Sequence, residues 1–380
     1  MNNYTIPTLP LKYDLETKAI LKQLNEANKQ LAELKGVALT IPNENILINT
    51  LTLQEAKDSS EVENIVTTHD ELYKADLDIK EYLMSAATKE VLNYREAMLL
   101  GFREVRTSKL LINKTIKEIQ ETLEGNKSGF RSITGTMLKN SKNEVVYTPP
   151  QNNDTIEKLM ANLEKYINDR QLSDVDPLIK MAVIHHQFES IHPFYDGNGR
   201  TGRIISILYL VQNNLLDLPI LYLSRYITVN KAEYYRLLQK IRDCSTDDDC
   251  EKAWQDWVLF NLKGVEITAK NTIALVKGIQ SLMTEYKHIL RPLLGKQYKH
   301  ELLNNLFFHP YTKLEYIERD MQVKRLTATK YLNMIIEVGL LEKVKVGRVN
   351  YYMNTKLINF FMNFYDSIDV VIDSIESVTT

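Results

Sequence analysis

The sequence predicts a mainly α-helical protein, and three observations carry that expectation. Apolar residues recur at spacings of three and four along most of the chain, which is the period of one helix face. β-Compatible runs are confined to two short stretches, 131–148 and 339–353. Strands do not alternate with helices in the way a parallel sheet requires.

The elements follow in order. Pro7 and Pro10 mark an extended lead, and a helix carrying Leu15, Ala19, Leu24, Ala27, Leu31 and Leu34 is expected to stop at Gly36. Ile41 to Thr52 is apolar and in part helical. A further helix is expected near 58–70, with Asp58 or Ser59 as its N-cap and with Ser59 and Glu63, four apart, on one face. Residues 70–125 read as helical through Leu72, Leu77, Ile79, Leu83, Val91, Met98, Phe102 and Val105, ended by Gly125. Arg131 to Leu138 and Glu144 to Thr148 form an expected hairpin, closed by Pro149-Pro150, whose free edge offers a template for an extended partner segment. A helix over 154–170 follows, then one starting at Pro177 with Asp176 as N-cap. Its apolar stripe runs through Leu178, Met181, Ala182 and Phe188; the adjacent His185 and His186 face different directions, which favours core roles over joint metal binding. Ile204, Ile205, Leu208 and Tyr209 give another helix that Asn213-Asn214 ends, and Trp254 with Trp257 reads as a packing seam.

The segment from about 275 to 360 reads as a separate module, with three short helices followed by two strands, resembling a winged helix-turn-helix. Between Pro310 and Asn354 eight Lys/Arg stand against five Asp/Glu, a mild excess that leaves DNA and protein partners both open. Arg325, Thr327, Thr329 and Lys330 would face a groove, with Arg348 at the wing tip, and the acidic stretch 366–380 reads as a partner-seeking tail. The expected division is 1–88, 89–270 and 271–380, two or three domains being usual for 380 residues.

Composition narrows the function classes. A net charge of −2 gives no whole-chain attraction to nucleic acid or anionic membrane. No apolar run reaches the roughly 18 residues of a membrane span, and the start MNNYTIPTLPLKYD lacks the basic and apolar regions of a signal peptide. A cytoplasmic protein is expected, with Cys244 and Cys250 as free thiols.

The chemistry gathers in His192–Arg203, HPFYDGNGRTGR, a loop running into a helix start. N–H groups at a helix start lack intrahelical partners, and the dipole there favours anions. Gly197 and Gly199 let the main chain approach a ligand, and Arg200 and Arg203, three apart, complete a phosphate cradle. Asp196 could hold a magnesium ion bridging phosphates, and a neutral His192 could take a proton from an attacking hydroxyl. Gly197, Gly199 and Gly202 also spell G-x-G-x-x-G, but a helix precedes them where a dinucleotide fold needs a strand.

These residues resemble the Fic-family signature H-x-F-x-[DE]-G-N-G-R-x-x-R, and every specified position matches. The resemblance implies a helical core with a β-hairpin flap, and transfer of AMP from Mg-ATP to a Tyr, Ser or Thr hydroxyl of a target protein. It implies His192 as general base, Asp196 as Mg²⁺ ligand and Phe194 as the pin of the loop. Gly197, Asn198, Gly199, Arg200, Thr201, Gly202 and Arg203 become the ATP-binding stretch. Ser59, Glu63 and Asn64 are similar to the family's [ST]-x-x-x-E-[GN] inhibitory element, in which the glutamate pairs with the second arginine, here Arg203. The resemblance places an adenine-side wall near Asn230, Tyr234 and Tyr235, a target segment at the 131–148 hairpin and self-association as a homodimer. Removal of AMP by the same loop, and a DNA-binding regulator with a nucleotide-sensing core, are the alternative readings.

Overall fold

The computed structural model describes residues 4–68, 71, 72, 75, 85–140, 142–346 and 349–364. Helices dominate: α1 (Lys18–Ala38), α2 (Glu44–Val62), α3 (Ala86–Ser108), α4 (Asn113–Glu124), α5 (Asn153–Asn168), α6 (Pro177–Ile191), α7 (Asn198–Gln212), α8 (Leu223–Val229), α9 (Lys231–Asp243), α10 (Asp247–Leu294), α11 (His300–Phe308), α12 (Leu314–Met321) and α13 (Arg325–Glu337). The strands are short: β1 (Leu138–Lys139), β2 (Val145–Tyr147), β3 (Tyr311–Lys313), β4 (Glu342–Val346) and β5 (Val349–Met353). The chain divides into two units, one of Met1–Lys35, Gln54–Val66 and Glu90–Lys270, the other of Gly36–Leu53, Thr67–Lys89 and Asn271–Thr380.

In the first unit α6 and α7 pack against each other at the centre, joined by the loop 192–197. Residues 178–191 of α6 are all buried, including Lys180, His185, His186, Gln187 and Glu189. A helix covered on every side needs no single apolar stripe, so its polar side chains must find partners inside. His185 does so through Tyr234 Oη at 2.8 Å and Ser206 Oγ at 3.1 Å, while Trp257 Nε1 donates to the Ala182 carbonyl at 2.7 Å. Asp176 caps α6 by accepting from the Leu178 N–H at 2.8 Å, ahead of Pro177 at the first turn. Where α3 crosses α7 the residue is Gly101, and a Cβ there would collide with Leu208.

Several boundaries differ from the sequence reading. Gly36 does not stop α1, which continues to Ala38. The cost of a mid-helix glycine, about 1 kcal/mol, is outweighed by the buried stripe of Leu24, Ala27, Leu31 and Leu34. No helix begins at Asp58 or Ser59: α2 ends there, so Ser59 lies in its last turn, and Asn64 follows in a left-handed conformation with φ 63°. The run 70–125 contains two described helices, α3 and α4, while Leu77, Ile79 and Leu83 lie outside the described residues. The expected strand from Arg131 shrinks to Leu138–Lys139, paired antiparallel with β2. Its first residues are held elsewhere, the N–H groups of Ser132 and Ile133 on Tyr195 Oη at 2.9 and 3.0 Å and that of Arg131 on the Pro193 carbonyl at 2.8 Å. Cys244 and Cys250 are not free thiols but a disulfide, their Cα atoms 5.1 Å apart across the turn into α10.

The second unit carries α11 to α13 and a three-stranded antiparallel sheet in the order β3-β5-β4, one strand more than expected. The buried Tyr286 hydroxyl joins the Leu340 carbonyl at 2.9 Å and Asn354 Oδ1 at 2.5 Å. Gly347, Arg348 and the stretch 366–380 lie outside the described residues. No described helix is long and apolar enough to cross a membrane.

Candidate active site

The loop 192–197 is built from two left-handed turns. His192 ends α6 with φ 50°, and Gly197 starts α7 with φ 76°. Phe194 is fully buried against Phe130 and Phe188, at 5.3 and 6.3 Å between ring centroids. The Asn198 amide closes the loop on itself: its Oδ1 accepts from the Phe194 N–H at 2.8 Å, and its Nδ2 donates to the Phe194 carbonyl at 2.9 Å. Asn198 therefore shapes the cradle with its side chain and can offer a ligand only its backbone.

The two arginines are buried and both are held by carboxylates. Arg203 donates to Ser59 Oγ at 2.8 Å, to the Ser59 carbonyl at 2.9 Å and to Glu63 Oε1 at 2.9 Å. Arg200 is forked between Glu90 at 2.9 Å and Glu124 at 2.8 Å. The same carboxylates sit over the loop glycines. A Cβ on Gly199 would collide with Glu63 Oε1, and one on Gly197 with Glu124 Oε1. Two internal anions thus occupy the positive end of α7, where N–H groups and guanidinium groups converge. Burial works to raise the Glu63 carboxyl, but Arg203, with Arg200 and Lys231, overrides it and holds the group below the usual range. Arg203 remains a cation: burial opposes its charge, and the Glu63 carboxylate more than restores it.

A cleft of about 740 Å³ opens beside this helix start. Glu63, Asn64, His192, Gly199 and Tyr235 line it, and so do Lys139 and Val146 from the hairpin. Burial, followed by the charges of Arg131 and Arg242, pushes the His192 imidazole down to about 4, so the ring is neutral at physiological pH. Its Nδ1 has no hydrogen-bond partner among the described residues. Asp196 is exposed, and its Oδ1 accepts from the Gly197 N–H at 2.7 Å.

Other sequence candidates lie elsewhere. The Tyr234 hydroxyl is spent on His185 in the core, and the Asn230 side chain caps the Tyr226 carbonyl at 2.9 Å outside the cleft. Thr201 is buried within α7, and Gly202 abuts α6, where a Cβ would sit 2.9 Å from Glu189 Oε1. The sequence reading missed Glu189, Arg131, Arg242, Glu90 and Glu124. Glu189 had a signal, since it precedes His192 by three, the spacing of neighbours on a helix face. Burial pushes its carboxyl up to about 7 against the pull of Arg203, and its Oε1 is unpartnered among the described residues. The others come from distant segments and carried no local signal.

Three stretches of the chain match known protein families. Residues 21–103 match the family described as Fic/DOC family N-terminal, and residues 110–210, which span the loop, match the Fic/DOC family itself. The chain belongs to the Fic family. Residues 282–357 of this Fic protein match the C-terminal domain described as protein adenylyltransferase SoFic-like. Among curated relatives, protein adenylyltransferase fic-1 of Caenorhabditis briggsae is 31% identical over 94 residues, 24% of this chain and 17% of the relative. Protein adenylyltransferase Fic of Drosophila virilis is 24% identical over 245 residues, 60% of this chain and 46% of the relative. The Fic chain thus spans less than half the length of these relatives. A crystal structure of a Fic family protein from Desulfovibrio desulfuricans shares the fold at TM-score 0.53 and 20% identity, covering 89% of this chain and 96% of that one. Fic-1 of C. elegans does so at TM-score 0.51 and 18% identity, covering 68% and 73%.

Proposed function

We propose that this Fic protein transfers AMP from ATP to a Tyr, Ser or Thr hydroxyl of a target protein, and to itself. The observation that carries the reading is the pair of carboxylates at the start of α7. Glu63 and Glu124 stand on the two glycines and the two arginines, as anionic oxygens of a triphosphate would. Beside them His192 lines the cleft, held neutral and so able to take the hydroxyl proton. The hydroxyl oxygen then bonds to the α-phosphorus, the bond to the β-phosphate bridge breaks, and pyrophosphate leaves. Positioning by the α7 amides and charge neutralisation by Arg200 and Arg203 supply most of the acceleration.

A magnesium ion fits on one condition. Among the described residues no three His, Cys, Asp or Glu side chains form a metal cluster. An ion bound through one carboxylate and substrate phosphates needs none, and the exposed Asp196 at the loop rim would provide that carboxylate. Such an ion would neutralise charge on the phosphates.

Glu63 is the proposed inhibitor, with Ser59 and Asn64 placing it: while Glu63 holds Arg203, the γ-phosphate cannot. Tyr235, which lines the cleft, is the proposed adenine contact. Residues 1–88, 89–270 and 271–380 would serve as inhibitory, catalytic and C-terminal regions. The C-terminal order helix, β3, two helices, β4, β5 with sheet order β3-β5-β4 supports a winged helix. Incubation with α-labelled ATP and Mg²⁺ tests the main reading. Label should enter the Glu63→Gly protein and be lost when His192→Ala is added; label persisting in the double variant would remove His192 as base.

A further inference from the structure

The end of α6 has a peculiarity that the proposed reaction does not use. An α-helix leaves its last four carbonyls without intrahelical donors, and here Pro193, which has no N–H, follows His192 and cannot reach back to Glu189. All four are nevertheless satisfied from outside the helix. Arg242 of α9 donates to the Glu189 carbonyl at 3.3 Å. The Tyr147 hydroxyl of β2 donates to that of Ser190 at 2.7 Å. Arg131 donates to Ile191 at 3.4 Å and, through Nε, to His192 itself at 2.7 Å. Arg242 also reaches Ser190 Oγ at 3.2 Å and lies 4.1 Å over the Tyr147 ring. Both arginines are buried, and neither has a carboxylate within ion-pair distance among the described residues.

Two buried cations on the carbonyl end of a helix are well placed electrostatically, since that end carries the negative half of the dipole. They are also costly to hide unless the arrangement fixes something. What stands on it is the left-handed residue His192. We propose that Arg131 and Arg242 are positioning residues for the general base: with Tyr147 they clamp the four terminal carbonyls of α6 and so set the pose of the His192 imidazole. A second effect follows from their charge. Arg131 from the loop before β1 and Arg242 from α9 disfavour a proton on the ring, burial acting in the same direction and more strongly, while Glu63 at the end of α2 and the Glu189 backbone act the opposite way. Lys139 of β1, Glu189 of α6, and Lys231 and Tyr235 of α9 line the same cleft. Tyr147 makes the clamp part of the hairpin, so the strand that faces the cleft and the base share one support.

This inference rests on the transferase reading, and its test separates the two. In the Glu63→Gly background, the pH dependence of kcat for self-labelling is compared among the parent, Arg242→Met, Arg242→Lys, Arg131→Met and Arg131→Lys. The methionine variants should move the acid limb upward by about one pH unit, the effect of a nearby charge. The lysine variants keep the charge but not the fork; they should leave the limb in place and lower kcat about tenfold or more, as misplacement of a reacting group does, at unchanged KM for ATP. Limbs superposed on the parent's in the methionine variants, or parental kcat in the lysine variants, would overturn the proposal. If a methionine variant does not fold, the lysine variant of that residue decides. If the parent itself transfers nothing, the transferase reading fails, and the titration of the His192 ring followed by NMR in the unreacted full chain still decides: a higher midpoint in either methionine variant supports the clamp, and identical midpoints refute it.

Discussion

Replacing Glu63 by glycine is the perturbation on which the inhibitory reading can be measured. A hydrogen bond to a charged group contributes about 1.5–3 kcal/mol. The Arg203 to Glu63 bond is a single one at 2.9 Å, and the carboxylate side chain is 35% exposed, so the lower part of that range applies. About 1.5–2 kcal/mol that a γ-phosphate no longer has to displace corresponds to roughly 10- to 30-fold at 1.4 kcal/mol per decade. Self-labelling with α-labelled ATP and Mg²⁺, followed at subsaturating ATP, should rise by that factor. Glu63→Asp should rise less, because a shorter carboxylate still partly neutralises the cradle. A second readout is independent of chemistry. Without Glu63 the buried Arg203 keeps, among the described residues, only its Ser59 bonds, so the variant should melt lower than the parent and regain more Tm from ATP. Labelling within twofold of the parent, together with equal ATP-induced rises in Tm, would refute the assignment of Glu63 as the block.

Three further outcomes follow. Glu55 is fully buried, accepting from Tyr94 Oη at 3.1 Å and the Ser224 N–H at 3.2 Å, and burial pushes its carboxyl up to about 8 despite the Ser224 bonds. A folded pKa above the unfolded one means the fold holds the proton longer, so this group's contribution is complete below pH about 4.5 and is lost as pH rises toward 8; denaturant midpoints of Glu55→Gln relative to the parent should therefore improve from pH 5 to 8.5, and a pH-independent difference would contradict the neutral carboxyl. Gly197→Ala puts a Cβ on a residue with φ 76° and against Glu124, which should cost about 1–2 kcal/mol from the left-handed backbone alone, read as a lower urea midpoint at unchanged m; an unchanged midpoint would show that the loop relaxes freely. If the C-terminal unit reads DNA through α13, duplex affinity should fall steeply with salt and Lys330→Ala should flatten the slope by about one; binding that ignores salt would leave a protein partner for that surface.

Legibility in the sequence followed locality. The loop residues sit within twelve positions, and their meaning needs only a helix before and a helix after, both signalled by Pro177 and by three-and-four spacing. Helix ends were harder, because an apolar stripe continues or breaks according to what packs on it. Gly36 was overridden in that way, and α2 ends where a new helix was expected. The strand expected from Arg131 failed because Tyr195 and Pro193, more than sixty residues along the chain, take its backbone donors.

The sequence by itself determined the helical class, the cradle of Gly197, Gly199, Arg200 and Arg203, and the candidacy of His192, since each depends on residue type and on neighbours within a turn or two. Tertiary structure alone decided that Glu63 and Glu124 fill that cradle, that Tyr235 rather than Tyr234 faces the cleft, that the cysteines are joined, and that Arg131, Tyr147 and Arg242 meet at the end of α6. Those are encounters between side chains far apart in sequence. A helical period specifies which face of an element is apolar, but the partner that face or end will meet is selected only when the elements pack together.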